Sequence, residues 1–214
     1  LITFSSRLAE YTNPEIEVMS KEVLNENYTI VNSLLNQIII ATPHMQDNLF
    51  SKSVIFVCEH NSNGAVGLII NKRLDDMLSS QIYSDLNRKT DANLNRHSPL
   101  YIGGPVSVER GIMLHDKEIF VNNSVKVSEN LFMSSHIDIL EKAHENKDCK
   151  FKFMMGYSGW SAGQLEDEVE NGDWMIQDAS SDFVFNCEDE QMWEAAIGSY
   201  GFDISNLSSH GGKA

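Results

Sequence analysis

Two stretches of the chain, Val54-Ile55-Phe56-Val57-Cys58 and Val66-Gly67-Leu68-Ile69-Ile70, are almost wholly apolar, and the polar connector Glu59-His60-Asn61-Ser62-Asn63-Gly64 lies between them. A strand with one wet face alternates apolar and polar residues. Runs that do not alternate belong in the middle of a sheet covered on both faces. This pair therefore predicts a strand, a turn-rich loop and a second strand, with further layers of structure above and below.

Other segments supply those layers. Ile38-Ile39-Ile40-Ala41 is a β-branched run closed by Thr42-Pro43, and 100–102, 111–115, 119–127, 151–155, 174–176 and 183–185 read as further short strands. Met77, Leu78, Ile82, Tyr83 and Leu86 recur at spacings of three and four, which predicts a helix over 75–89 behind an Asp75 cap. Ser135 with Asp138 resembles a capping pair for a second helix that runs to residue 146. Residues 164–170 read as a short acidic helix that stops at Gly172. The trio Glu188-Asp189-Glu190 suits the positive end of a last helix, which Gly201 ends. The expected class is α/β, a compact mixed sheet flanked by helices, with room for a smaller α+β subdomain. The folded body spans 34–214. Residues 1–33 are polar, contain Pro14 and lack a sustained apolar period, so they read as a loosely ordered extension.

Charge narrows the function. With 16 Lys plus Arg against 31 Asp plus Glu, the formal net charge is -15. Binding to a phosphate backbone draws on Lys and Arg that displace counterions, and no basic run here exceeds Lys72-Arg73 or Arg88-Lys89. Direct nucleic-acid binding is therefore disfavoured, and an indirect route through a small molecule or another protein is favoured, although the charge itself names no partner. Cys58, Cys149 and Cys187 are odd in number and irregularly spaced, which fits a reducing compartment. Leu1 to Phe4 fall short of a secretory apolar core, and no run approaches the ~20 apolar residues of a membrane helix, so the expected address is the cytoplasm.

The stretch Met155-Gly156-Tyr157-Ser158-Gly159-Trp160-Ser161-Ala162-Gly163-Gln164-Leu165-Glu166-Asp167-Glu168 sets three glycines around two aromatics and then an acidic helix start. Glycine accepts positive φ without a Cβ penalty, so the backbone here turns sharply or lies close to something, either a ligand or the protein's own core. Together with Ala41-Thr42-Pro43-His44-Met45, Cys58-Glu59-His60-Asn61, Gly64, Gly67, Asn71, Tyr101-Ile102-Gly103-Gly104-Pro105-Val106, Arg110-Gly111, Leu114-His115, Trp174 and the 193–201 segment, it makes residues 34–214 resemble the bacterial AlgH/YqgE family. Ser161 stands where many relatives carry another glycine. The resemblance implies a compact mixed α/β fold, a cytosolic bacterial protein and no agreed enzymatic activity. Some relatives are described as regulators of alginate gene expression, a phenotype that does not itself require a DNA contact.

The candidate ligand-binding residues are Pro43, His44, Cys58, His60, Asn61, Asn71, Gly103, Gly104, Tyr157, Gly159, Trp160, Gln164 and Glu168, on loops expected to converge at strand ends. If the strand continues past Cys58, that thiol and His60 share a face, and an imidazolium would make the thiol reactive. The competing reading is a buried thiol acting as a small hydrophobe. Gly103-Gly104-Pro105 could offer N–H groups to an anion but lacks Walker spacing, and a tight turn explains it as well. Asn71 suits a cap or turn equally. Gln164 and Glu168 share a helix face beside Tyr157 and Trp160, which outlines a polar-aromatic pocket. Trp160 and Trp174 equally suit core positions with a satisfied indole. A hydrolase using Glu166 and Glu168 would need the two carboxyls held in a cleft. Three or four zinc ligands at paired spacing are not found, and no Ser-His-Asp order or two-sided G-x-S-x-G stands out, so neither a metal nor a cofactor nor a catalytic set is expected. The reading is a binding or regulatory protein, with a thiol enzyme or redox-responsive protein using Cys58 as the alternative.

Overall fold

The computed structural model describes residues 33–90, 98–119, 121, 124–136 and 138–201, so nearly all of the expected N-terminal extension lies outside the described residues. The described strands form one sheet. In chain order they are β1 (Gln37–Ala41), β2 (Val54–Asn61), β3 (Gly64–Ile69), β4 (Leu100–Ile102), β5 (Val106–His115), β6 (Ser124–Ser128), β7 (Leu131–Ser134), β8 (Phe151–Ser161) and β9 (Trp174–Asp178). The helices are α1 (Asp76–Thr90), α2 (Asp138–Glu145), α3 (Gln164–Glu170), α4 (Ser181–Asn186) and α5 (Asp189–Gly198).

The strand order is β6-β7-β5-β8-β3-β2-β1-β9, with β4 added against β8. Every described pairing is antiparallel except β4 with β8. The sheet is thus mixed, as expected, but its hairpins place the fold nearer α+β than a parallel α/β array. The apolar runs that predicted burial on both faces are β2 and β3, and they do lie inside the sheet order. On β1 and β2, Ile38, Ile40, Val54, Phe56 and Cys58 join one hydrophobic cluster with α4 and α5, while Ile39, Ala41, Ile55 and Val57 join a second with Trp160, Leu165 and Trp174. A third cluster packs α1 and α2 over β4, β5 and β8 through Tyr83, Leu86, Leu100, Ile139, Leu140 and Phe153.

Local chemistry explains most boundaries. Asp75 Oδ1 accepts from the Leu78 amide and starts α1 as expected. At the start of α2, His136 Nδ1 lies 3.3 Å from the Asp138 amide. Three strand expectations need correction, the first being 119–127, where the strand is Ser124–Ser128. Residues 183–185 belong to α4, because the Ser180 side chain caps the Phe183 amide and turns an apparently β-rich triplet into a helical turn. The strand expected over 151–155 continues through the glycines to Ser161, since β3 pairs with it from Gly67↔Ser158 to Gly64↔Ser161.

Candidate functional site

Continuation of β8 decides where the candidate side chains point. Along a strand, side chains alternate between faces. Tyr157 therefore packs with the first hydrophobic cluster and Trp160 with the second. The expected pairing of Tyr157 with Gln164 and Glu168 does not form, and Trp174 takes that place.

That exchange is produced by the short helix α3. Gln164 Oε1 accepts from the Ser161 amide at its start. At its end the Gly172 amide bonds the Val169 carbonyl and the Asp173 amide bonds the Glu168 carbonyl. Gly172 at φ 81 completes this glycine-terminated helix end, which reverses the chain and sends Trp174 back beside the helix in β9. Glu168 Oε2 then accepts from the indole N–H of Trp160 and from that of Trp174, each at 2.8 Å, while Oε1 accepts from Gln164 at 2.9 Å. The two indoles meet edge to face, with centroids 6.2 Å apart. One carboxylate thus closes two strands and a helix into a knot.

His60 belongs to the same side. The Leu34 amide donates to Nδ1 at 2.8 Å, which leaves the proton on Nε2, and Nε2 donates to Glu166 Oε1 at 3.0 Å. A β-bulge between Val57 and Glu59 puts His60 there. The extra residue breaks the period of two, so Cys58 faces the first cluster and His60 the second. The expected meeting of Cys58 and His60 is lost for that reason. Burial, helped by the Glu59 charge, pushes the Cys58 thiol well above its ordinary pKa, and its Sγ faces the Phe56 carbonyl at 3.6 Å.

The glycine turns close on the backbone itself. A Cβ on Gly103 would lie 2.2 Å from the Gly156 carbonyl oxygen, and one on Gly104 2.2 Å from the Tyr157 carbonyl carbon. Gly156, at φ 71, would place a Cβ 2.6 Å from the Gly104 carbonyl oxygen. Residues 103–105 thus meet β8 at Gly156 and Tyr157, apart from the Glu168 knot.

The remaining candidates are distributed. Asn71 brackets a turn, accepting from the Val54 amide and donating to the Lys52 carbonyl, each at 2.9 Å. Asn61 stays within its own hairpin, bonding Glu59 and the Asn63 amide. Pro43 and exposed His44 sit in the turn where Met45 bonds back to Thr42, and Thr42 bonds to Asp173 next to Trp174. Gly159 is exposed on β8. The structure therefore gathers His60, Trp160, Gln164 and Glu168, and adds Glu166, named above only for a hydrolase, and Trp174, which the ligand-binding set lacked. The spacing Glu168 to Trp174 across Gly172 was the available signal for the second indole. A shallow groove of about 630 Å³ lies elsewhere, along α1 beside Met77, Gln81 and Arg88. Among the described residues no group of three or more His, Cys, Asp or Glu side chains is placed to hold a metal ion. Also among them, no helix is long and apolar enough to cross a membrane.

Comparison with known proteins gives a consistent picture. A family model described as AlgH-like matches residues 38–205. A UPF0301 protein of Cupriavidus pinatubonensis is 39% identical over 183 residues, covering 85% of this chain and 96% of its own. One from Ruegeria pomeroyi is also 39% identical, over 85% of this chain and 99% of its own. The solution structure of the AlgH protein from Pseudomonas aeruginosa aligns with a TM-score of 0.65 and 29% identity, covering 88% of this chain and all of that one. Protein DIP2367 from Corynebacterium diphtheriae shares the fold at a TM-score of 0.62 and 20% identity, over 93% of this chain and 99% of that one.

Proposed function

Because this chain belongs to the AlgH-like family, we propose that it works by binding, as a cytoplasmic protein with a regulatory output whose partner is a small molecule or another protein, and with residues 34–214 acting as one unit. The observation that carries this reading is the Glu168 knot. Its carboxylate accepts from two indoles and an amide, so the most distinctive motif of the chain spends its polar groups on holding β8, α3 and β9 together. A general acid or base needs a group free to meet substrate. The thiol alternative loses support from the bulge that separates Cys58 from His60. A net charge of -15 speaks against a direct DNA contact.

A thermal-shift screen with nucleotides and central metabolites, run beside a duplex-DNA binding assay at physiological salt, tests the reading. A true ligand at about 100 times its Kd stabilises the fold by about 2.7 kcal/mol. Turnover of a substrate that Glu168→Gln abolishes without unfolding the protein would overturn the proposal, and so would tight binding to random duplex DNA.

A further inference from the structure

At the other end of the sheet, three side chains on neighbouring strands form a line of hydrogen bonds. His115 ends β5, Ser134 ends β7 and Ser124 begins β6, with Ser124 and Ser134 directly opposite each other in the ladder. His115 Nδ1 lies 2.7 Å from the Lys117 carbonyl, His115 Nε2 lies 2.9 Å from Ser134 Oγ, and Ser134 Oγ lies 2.6 Å from Ser124 Oγ. With the ring neutral, as burial favours, only one proton arrangement satisfies all three contacts. A carbonyl can only accept, so Nδ1 carries the ring proton and Nε2 is bare. Ser134 must then donate to Nε2, which leaves Ser124 as donor to Ser134, with the Ile119 carbonyl a weaker second acceptor at 3.2 Å. His115 and Ser134 are buried, whereas Ser124 is only half-buried.

We propose that Ser124 is an activated nucleophile that accepts the acyl group of a neutral activated ester, with Ser134 and His115 removing its proton. The geometry has the parts that such a step needs: a hydroxyl, a base reached through one relay, and a carbonyl that fixes the base's tautomer. Ser124 Oγ forms the new bond to the acyl carbon. The ester C–O bond breaks, and its electron pair leaves with the alcohol portion. The Ser124 proton passes to Ser134 as the Ser134 proton passes to His115 Nε2. From there it returns to the leaving alkoxide or to solvent. No oxidant or metal is required. The acidic surface selects neutral acyl donors over acyl phosphates, which a net charge of -15 repels. Because the protein is modified once and not regenerated, this is a modification site independent of the binding reading.

The base is kept ready by its surroundings. Burial lowers the His115 pKa, against smaller opposing effects of the Lys117 carbonyl and the Asp116 charge. Asp116 is the charged side chain that acts on the ring, and it pairs with Lys117 at 4.0 Å. From β7 the ring meets Phe132 and Ser134, and across β8 its register partner is Phe151.

The full chain is treated with p-nitrophenyl acetate and mapped by peptide mass spectrometry, with hydroxylamine used to cleave serine esters and spare lysine amides. The expected result is a hydroxylamine-sensitive acetyl group on Ser124, formed about 100-fold or more faster than on any other serine. Its rate should stay level from pH 7 to pH 9, since His115 is already neutral there, whereas an unassisted serine accelerates with hydroxide. Ser134→Ala should return Ser124 to the rate of an ordinary serine. Labelling of Ser124 no faster than of other serines, or a rate climbing with hydroxide across that range, overturns the proposal even if the variant fails to fold.

Discussion

Lys152 Nζ donates to Asp189 Oδ1 in an ion pair whose two side chains are each 5% exposed. The pair joins the base of β8 to the first turn of α5, where the Asp189 carboxylate also suits the helix dipole. Tyr101 Oη donates to Asp189 Oδ2 at 3.0 Å, and the half-exposed Arg73 reaches the same oxygen. Burial lowers the Lys152 pKa, and the Asp189 bond and charge oppose that shift. Removing one member of such a pair strands a buried charge, which costs about 3–5 kcal/mol. Asp189→Leu should lower the stability to urea by that amount, and adding Lys152→Met should recover most of the loss. A double variant as unstable as the single one would show that the pair's charges are themselves needed.

Gly156 and Gly163 both have positive φ, 71 and 77 respectively, yet their surroundings differ. Nothing lies within 4 Å of a Cβ on Gly163, whereas one on Gly156 meets two carbonyl oxygens inside 3 Å. Gly163→Ala should cost only the left-handed backbone penalty of about 1–2 kcal/mol. Gly156→Ala should cost clearly more, and equal unfolding midpoints for the two variants would contradict the account of the glycine turns.

Thiol reactivity should follow burial. Burial and the Asp116 charge push the Cys149 pKa up to about 11, burial and the Glu59 charge push Cys58 higher still, and Cys187 is raised less. Alkylation near neutral pH should therefore modify Cys187 first and Cys58 last. Cys58 reacting first would restore the thiol reading.

Acid should weaken the fold in part through His115. An unfolded imidazole titrates near ~6.5, and the folded one lies lower because it is buried. Between those values the unfolded chain binds more protons, so this contribution to stability is complete above about pH 6.5 and is lost as the pH falls toward the folded value. An NMR titration should give His115 a midpoint below 6.5. A midpoint at or above it would mean that the ring is not held neutral by burial.

The sequence made the buried strands legible because Ile38 to Ala41, Val54 to Cys58 and Val66 to Ile70 need no tertiary information to be recognised as apolar runs. Asp75 and Gly172 marked helix ends for the same local reason. What could not be read was the facing of side chains beyond those runs. One extra residue at the Cys58 bulge reverses the side on which His60 lies, and a bulge is fixed by pairing with β3, not by composition. Gly159 looks like a loop residue until β3 is known to pair beside it, and Gly156 until β5 is known to flank it. Phe183 to Phe185 have strand-like composition, but one hydroxyl cap from Ser180 outweighs it. The Glu168 knot needed both lessons, since Trp160 and Trp174 meet only once β8 is extended and α3 reverses the chain.

The central claim is that the Trp160, Glu168 and Trp174 arrangement maintains the fold, and chemical denaturation of Glu168→Ala tests it most directly. With two largely buried indole N–H groups left without their acceptor, the account predicts a loss of about 2–4 kcal/mol in unfolding free energy. An unfolding curve indistinguishable from that of the unaltered protein would contradict it.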